Sequence, residues 1–402
     1  MGDKSGMKAS WMVLALAWML SALGQAGQLT VTARDRDYDG ALVIAPVPAE
    51  FPRVGWLKSG EYGDTAFQRD EDGNIVFVLG ALKRGARATF SVSAESAPTY
   101  ASADLRDGIV QLAADGKPVL TYHGAKSKFP RPDIQPIYAR GGYIHPVFSP
   151  SGKWITDDFP TNHVHHHGIW APWTKTVFQG RSPDFWNMGE GKGKVEFAGF
   201  DGHWSGPVHA GFKARHRFVD LTAKEPVAAL DESWKVTSYR IPGANYFVFD
   251  LVTTQRCATV SALELPKYHY GGLGLRGNGA WNGVKNAFFL TSNGETDRVK
   301  GNETPGRWCH MGGAVEGGLT GIAALGHPGN FRAPQGMRLH PSEPFFCYAP
   351  SQGGDWAIEP GRPYVARFRF VAKDGPPDKA ELDRFWEDYA HPPEVLVAER
   401  KE

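Results

Sequence analysis

Cysteine is scarce. Cys257, Cys309 and Cys347 are the only three in 402 residues, too few and too widely spaced for a disulfide framework or a Cys-x-x-Cys metal site. An oxidising compartment would permit one bridge, and the sequence does not choose the pair. Charge of one sign is missing too, with 44 Lys and Arg against 43 Asp and Glu. No field is there to draw in nucleic acid or an anionic membrane, so the expected partner is a small-molecule or oligosaccharide ligand. After residue 28 no apolar run is long enough to span a bilayer as a helix. Helical periodicity is also rare, and without crossover helices the strands cannot form a parallel sheet.

What is present begins with a leader. Lys4 and Lys8 precede the apolar run Trp11 to Leu23, and small residues follow from Ala22 to Gly27, the layout of a secretory signal peptide over residues 1–26. The mature chain is expected to start near Gly27 or Gln28 and to be periplasmic or secreted. Short runs of β-branched and aromatic residues then alternate with Asp-Gly and Asn-Gly pairs, at Asp72-Gly73, Asp107-Gly108, Asp115-Gly116, Asp201-Gly202 and Asn293-Gly294, which read as hairpin turns. The clearest strands are Ile75 to Leu79, Thr89 to Val92, Trp234 to Ile241, Tyr246 to Thr254 and Tyr364 to Ala372. In the last, Val365, Arg367 and Arg369 share one face and Ala366, Phe368 and Phe370 the other, as in a sheet with one wet side. One helix is expected, where Leu382, Phe385, Trp386 and Tyr389 recur behind the capping pair Asp378 and Glu381. The fold class is therefore mainly β, an antiparallel β-sandwich with a short C-terminal helix. The proline-spaced stretch Phe129 to Pro136, after Asp115-Gly116, suggests a boundary between an N-terminal β region, 27–120, and a larger β domain, 121–402.

Four of the 14 histidines fall within His163-Val164-His165-His166-His167. An extended run would point His163, His165 and His167 to one side and His166 to the other. Three imidazoles on one pocket could hold a divalent metal or move protons near neutral pH, and the sequence does not separate the two uses. No carboxylate follows at short range, so Asp157, Asp158 or Asp184 would complete a metal site. A second cluster, Asp184-Phe185-Trp186-Asn187, combines a carboxylate, an amide and an indole, the mixture that binds a sugar's apolar face and its hydroxyls. Phe185 itself reads as core. A third, from Glu264 to Arg276, offers Lys267, His269 and Arg276 among glycines that permit close backbone approach. Further on, Trp308, His310 and Asn330 stand at strand ends and turns, where polar groups can gather on the rim of a sandwich.

The runs Asp157 to Trp170, Asp184 to Gly189 and Lys267 to Arg276 resemble the PmoA-like family, as do Arg307 to His310, His327 to Arg332 and Pro344 to Phe346. The matches cover roughly residues 120 to 390 in order. That family carries the label "methane oxygenase PmoA" and is otherwise a domain of unknown function. Its members look like exported bacterial proteins found among carbohydrate-degradation genes. The absence of a membrane-spanning run in the mature chain rules out a methane monooxygenase subunit. The Asn162-His163 pair is similar to that of aldose mutarotase-type sugar enzymes, which implies a β-supersandwich of the galactose mutarotase-like kind.

The expectation is an exported carbohydrate-processing protein, an enzyme that cleaves or isomerises a saccharide by histidine-assisted acid/base chemistry. Candidate catalytic residues are His163, His165, His166, His167, Asp184, Lys267 and His269. Candidate substrate contacts are Asp158, Trp170, Trp186, Asn187, Arg276, Trp308, His310 and Asn330. Paired carboxylates of the glycosidase kind would be Asp157 or Asp158 with Asp184. The rivals are a metal-dependent oxygenase or hydrolase on His163, His165 and His167, and a non-catalytic carbohydrate-binding envelope protein. Nothing in the sequence sets an oligomeric state.

Overall fold

A computed structural model describes residues 26–126 and 128–398; the expected leader falls almost wholly outside the described residues. The chain forms two compact units.

The first unit runs through Thr99 and includes Gly206–Val208 and the segment from His391 onward. Its single seven-stranded sheet is antiparallel throughout, with the C-terminal strand Glu394–Ala398 paired against Ala26–Thr32. Alternate residues such as Leu29, Val31, Val43, Phe67, Phe77 and Phe90 build a separate core.

The second unit holds Tyr100–Ser205 and His209–Ala390. Two eight-stranded sheets and a three-stranded one make it up. Tyr122, Ile144 and Leu275 from one large sheet and Phe212, Trp234 and Phe368 from the other belong to one continuous core, so the two sheets close as a sandwich. The long strands of one sheet, His209–Asp220, Val227–Tyr239, Tyr246–Cys257 and Tyr364–Asp374, pair in register over ten or more residues. The helix Lys379–Ala390 lies where expected, and the Asp378 carboxylate accepts from the backbone N–H groups of Ala380 and Glu381 at 2.8 and 3.2 Å. It buries Leu382, Phe385 and Trp386.

The fold is the antiparallel β-sandwich with a short C-terminal helix that the sequence implies. Local differences have physical causes. The division falls after Thr99, ahead of residue 120, because Asp107-Gly108 and Asp115-Gly116 are hairpin turns with positive φ at all four residues. They tie Ala101–Arg106, Ile109–Ala114 and Lys117–His123 into one sheet with Tyr143–Val147. The chain end returns to the first unit, so the larger unit stops at Ala390. Asp201-Gly202 is no hairpin; it lies within the strand Gly193–Trp204 where the pairing register slips at a bulge. Arg369, expected on a wet face, is buried and forked onto Asp250 at 2.8 and 2.9 Å, a paired charge that the interior tolerates. All three cysteines are free thiols. Among the described residues no helix is long and apolar enough to cross a membrane.

Candidate functional site

The site lies on one large sheet of the second unit, in the order Met337–Leu339, Phe345–Tyr348, Leu273–Arg276, Ile169–Trp170, Tyr143–Val147, Lys117–His123. Antiparallel neighbours bring the end of one strand beside the start of the next. His340, Glu343, Arg276, His167 and His145 thereby gather at one end of these strands. Gly168 carries the chain out of the sheet: a Cβ there would meet the Ile144 carbonyl oxygen and the Thr156 side chain, and the Gly168 carbonyl accepts from Arg276 N–H at 2.8 Å.

Before Gly168 the histidine run is not extended. Two successive turns close it, His163 N–H on the Pro160 carbonyl at 3.1 Å and His166 N–H on the His163 carbonyl at 2.8 Å. Period-two reasoning therefore fails. His163 and His166 stack at 4.7 Å with His165 edge-on to His166, while His167 turns away to a different set of partners. The expected convergence of His163, His165 and His167 does not occur. Among the described residues no group of three His, Cys, Asp or Glu side chains could hold a metal ion.

His167 has no exposed surface. Its Nδ1 meets Asp158 Oδ1 at 2.5 Å, and Tyr143 donates its hydroxyl to Asp158 Oδ2 at 2.9 Å. The ring stacks on Tyr143 at 4.3 Å, and His123 also stacks on that tyrosine, at 5.0 Å. Burial, and then the charge of Arg140, hold His167 well below the usual histidine range. Burial pushes the Asp158 carboxyl up against the opposing effect of His145 and the Tyr143 hydroxyl. With the carboxyl ionised, a neutral imidazole in this pair donates Nδ1–H to it, which fixes the tautomer and presents Nε2 as a lone-pair acceptor. Nε2 is buried and has no protein partner.

A second buried pair shows what a closed arrangement looks like. His216 Nδ1 meets Glu232 Oε2 at 2.7 Å, and its Nε2 is taken up by the Tyr122 hydroxyl at 2.6 Å. Glu232 Oε1 accepts from Thr253 and Gln255 at 2.7 and 2.8 Å. Every polar atom of that chain is satisfied within the protein, as in a structural network. His167 differs in having one nitrogen left over.

The outer histidines make a shallower feature. His163 and His165 are half-buried, and His340 packs edge-on to His163 at 5.6 Å. Burial is the main cause that brings His165 and His340 down to about 4, so both are neutral at pH about 7. Beneath them Arg276 is fully buried and gives Nη2 to Asn282, Glu343 and Asn162 at 2.6, 3.1 and 3.3 Å. Its Nε and Nη1 lack partners.

The other candidates separate. Trp170 and Trp186 are 0 and 1% exposed and pack on each other and on Phe345, so neither is an exposed sugar platform; they are the floor beneath His166. Asp184 is not a spare carboxylate, because it accepts from Trp186 N–H, Asn187 N–H, Asn187 Nδ2 and Thr174 Oγ1 at 2.7 to 3.1 Å. It is the cap of a turn, and Asn187 links that turn to the Tyr270 hydroxyl at 3.2 Å. His269 packs between Tyr268 and Tyr270. Lys267 is exposed, and its backbone N–H is held by Asp355 at 2.6 Å. Trp308 and His310 belong to the other large sheet: Trp308 donates to Asp383 at 2.9 Å, and His310 stacks on Phe288, pushed down to about 3 by burial. Asn330 mimics a strand residue by exchanging hydrogen bonds with the Arg367 backbone, both at 2.8 Å. Sequence reasoning passed over Arg140, Tyr143 and His145, although the glycine pair in Arg140-Gly141-Gly142-Tyr143 marks a place of close backbone approach: a Cβ on Gly142 would lie 3.0 Å from the His216 ring.

The model of a family of unknown function, DUF6807, matches residues 109–387. It supports no PmoA label, so the resemblance holds at the level of a family whose function is unknown. No curated protein matches. Among solved structures, similarity extends to a protein in glycosyl hydrolase family 38 from Enterococcus faecalis, at 8% identity and TM-score 0.39 over 98% of this chain and 50% of that one. An α-mannosidase from Enterococcus faecalis V583 follows at 9% and 0.37, over 97% and 42%. A galactose mutarotase related enzyme from Lactobacillus acidophilus matches at 9% and 0.25, over 68% and 97%. The chain spans about half the length, or less, of the first two, and at such TM-scores none of their activities transfers.

Proposed function

This chain belongs to the DUF6807 family, and from that premise we propose that it is an exported carbohydrate-processing enzyme whose proton-transfer group is His167, oriented by Asp158. One observation carries the reading. Of the two buried carboxylate–imidazole pairs among the described residues, only the one at His167 leaves Nε2 without a protein partner. A neutral imidazole with its Nδ1–H fixed on a carboxylate is ready to accept a proton at Nε2 and return it, and Asp158 stabilises the imidazolium formed meanwhile. Neutral His163, His165 and His340 each present one N–H and one lone pair, which suits sugar hydroxyls. Because His167 has no exposed surface, the reading requires the chain around it to open when substrate binds. Hydrolysis, elimination and epimerisation all require such a group.

The test is a panel of neutral and acidic oligosaccharides followed by proton NMR with the wild type and His167→Gln, whose folding is checked by circular dichroism. Conversion of a saccharide by the wild type and its loss in a folded His167→Gln protein is the expected result. Equal conversion by both proteins would sink the assignment.

A further inference from the structure

The same unit holds a second feature. A cavity of about 530 Å³ is lined by Arg140, Lys126, Lys194, Glu196, Phe197 and Met188, among others, a volume in the range of small-ligand sites. Arg140 is only 3% exposed. Its Nε donates to the Gly141 carbonyl at 3.2 Å, and its Nη1 is buried with no partner. A buried guanidinium N–H left unpaired is costly and calls for an acceptor. The backbone permits the burial because Gly141 lies against the Gly124 carbonyl oxygen, where no Cβ would fit. The wall carries three cations and one carboxylate, Glu196, which is ion-paired to Lys194 at 2.5 Å, while Glu232 and Asp158 act on Arg140 from outside the wall. Phe197 and Met188 add an apolar surface suited to the C–H face of a sugar ring.

We propose that this cavity binds the carboxylate of an acidic sugar, a uronic acid unit, with Arg140 as its buried partner and Lys126 and Lys194 at the rim. The sugar part of the ligand rests on the carbohydrate reading above; the carboxylate part rests on the cavity alone. Arg140 is also one of the charges that depress His167 and bear on Asp158. Neutralising it with a ligand carboxylate makes Nε2 of His167 a stronger base, which couples occupancy of the cavity to proton transfer at the dyad.

Isothermal titration of the full chain with D-galacturonate, D-galactose and inorganic sulfate tests this. Galacturonate is expected to saturate one site, with galactose and sulfate at least about tenfold weaker. Lys194→Ala, a surface change that leaves the core intact, weakens galacturonate about two- to fivefold, and Arg140→Gln abolishes binding. His167→Gln binds galacturonate like the wild type, so retained binding without turnover would remove the catalytic reading and leave the cavity standing. No galacturonate binding, galactose or sulfate binding as tightly, or unchanged binding by folded Lys194→Ala and Arg140→Gln would each overturn the proposal.

Discussion

Replacing His310 by leucine distinguishes a core residue from a ligand contact, and the size of the effect follows from its surroundings. The ring is 4% exposed, stacks on Phe288 with centroids 5.8 Å apart, and rests where a Cβ on Gly321 would collide. Burial, with a smaller contribution from Lys373, pushes it down to about 3. In the unfolded chain the same side chain titrates near its reference value of about 6.5. A histidine depressed on folding is neutral in both states at high pH. As pH falls below the unfolded value, only the unfolded state takes up the proton, so stability is lost on acidification until the folded value is reached. Between pH about 7.5 and about 5 the wild type therefore loses ~2 kcal/mol through this one residue. Urea unfolding of the wild type and His310→Leu at both pH values reads the difference, and the baseline cost of the substitution cancels. A stability loss between the two pH values that is ~2 kcal/mol smaller in the variant is the expected result. Equal pH dependence in the two proteins would refute the reasoning.

Other substitutions test other links. Asp158→Asn removes the charge that holds His167 and stabilises its protonated form; kcat on any saccharide the wild type converts is expected to fall by about a hundredfold or more, with circular dichroism unchanged, and near-normal turnover would contradict it. Tyr143→Phe removes the hydroxyl that favours ionised Asp158, so the acidic limb of the kcat/KM profile moves to higher pH; a limb that stays in place would place Tyr143 outside the pair. Asp184→Ala breaks the turn cap and costs about 1–2 kcal/mol in urea unfolding, with the pH profile of activity unchanged, whereas a shifted profile would restore Asp184 as a proton-transfer group. Gly141→Ala drives a methyl group into the Gly124 carbonyl oxygen and is expected to cost about 1–3 kcal/mol, read from the urea midpoint.

The sandwich was legible because its signals are local. Strand alternation, Asp-Gly hairpins at Asp107 and Asp115, and the Asp378 cap each depend on a few neighbouring residues. The histidine run lies at the end of a central strand of one large sheet. Its geometry was illegible because Phe159 adopts a positive φ and two turns follow it, which breaks the period-two rule that a straight strand would obey. Asp158 and His167 are nine residues apart, and Tyr143 reaches them from the neighbouring strand, so their meeting depends on pairing that no window of sequence contains. Asp184, Trp186 and Trp308 carried the right chemistry for a sugar site and were claimed by the core: the carboxylate by a turn, the indoles by burial. A residue type indicates what a side chain can do, and burial decides whether it is available.

The central claim is that His167 is a neutral imidazole with Nδ1–H on Asp158 and a lone pair on Nε2 that works on a saccharide. Nitrogen-15 NMR of histidine-labelled protein, with His167 assigned from the His167→Gln spectrum, tests it directly. One neutral, Nδ1-protonated ring is expected at neutral pH, whose Nε2 signal moves when a saccharide substrate is added. A doubly protonated His167 at neutral pH, or an Nε2 signal that no converted saccharide moves, would contradict it.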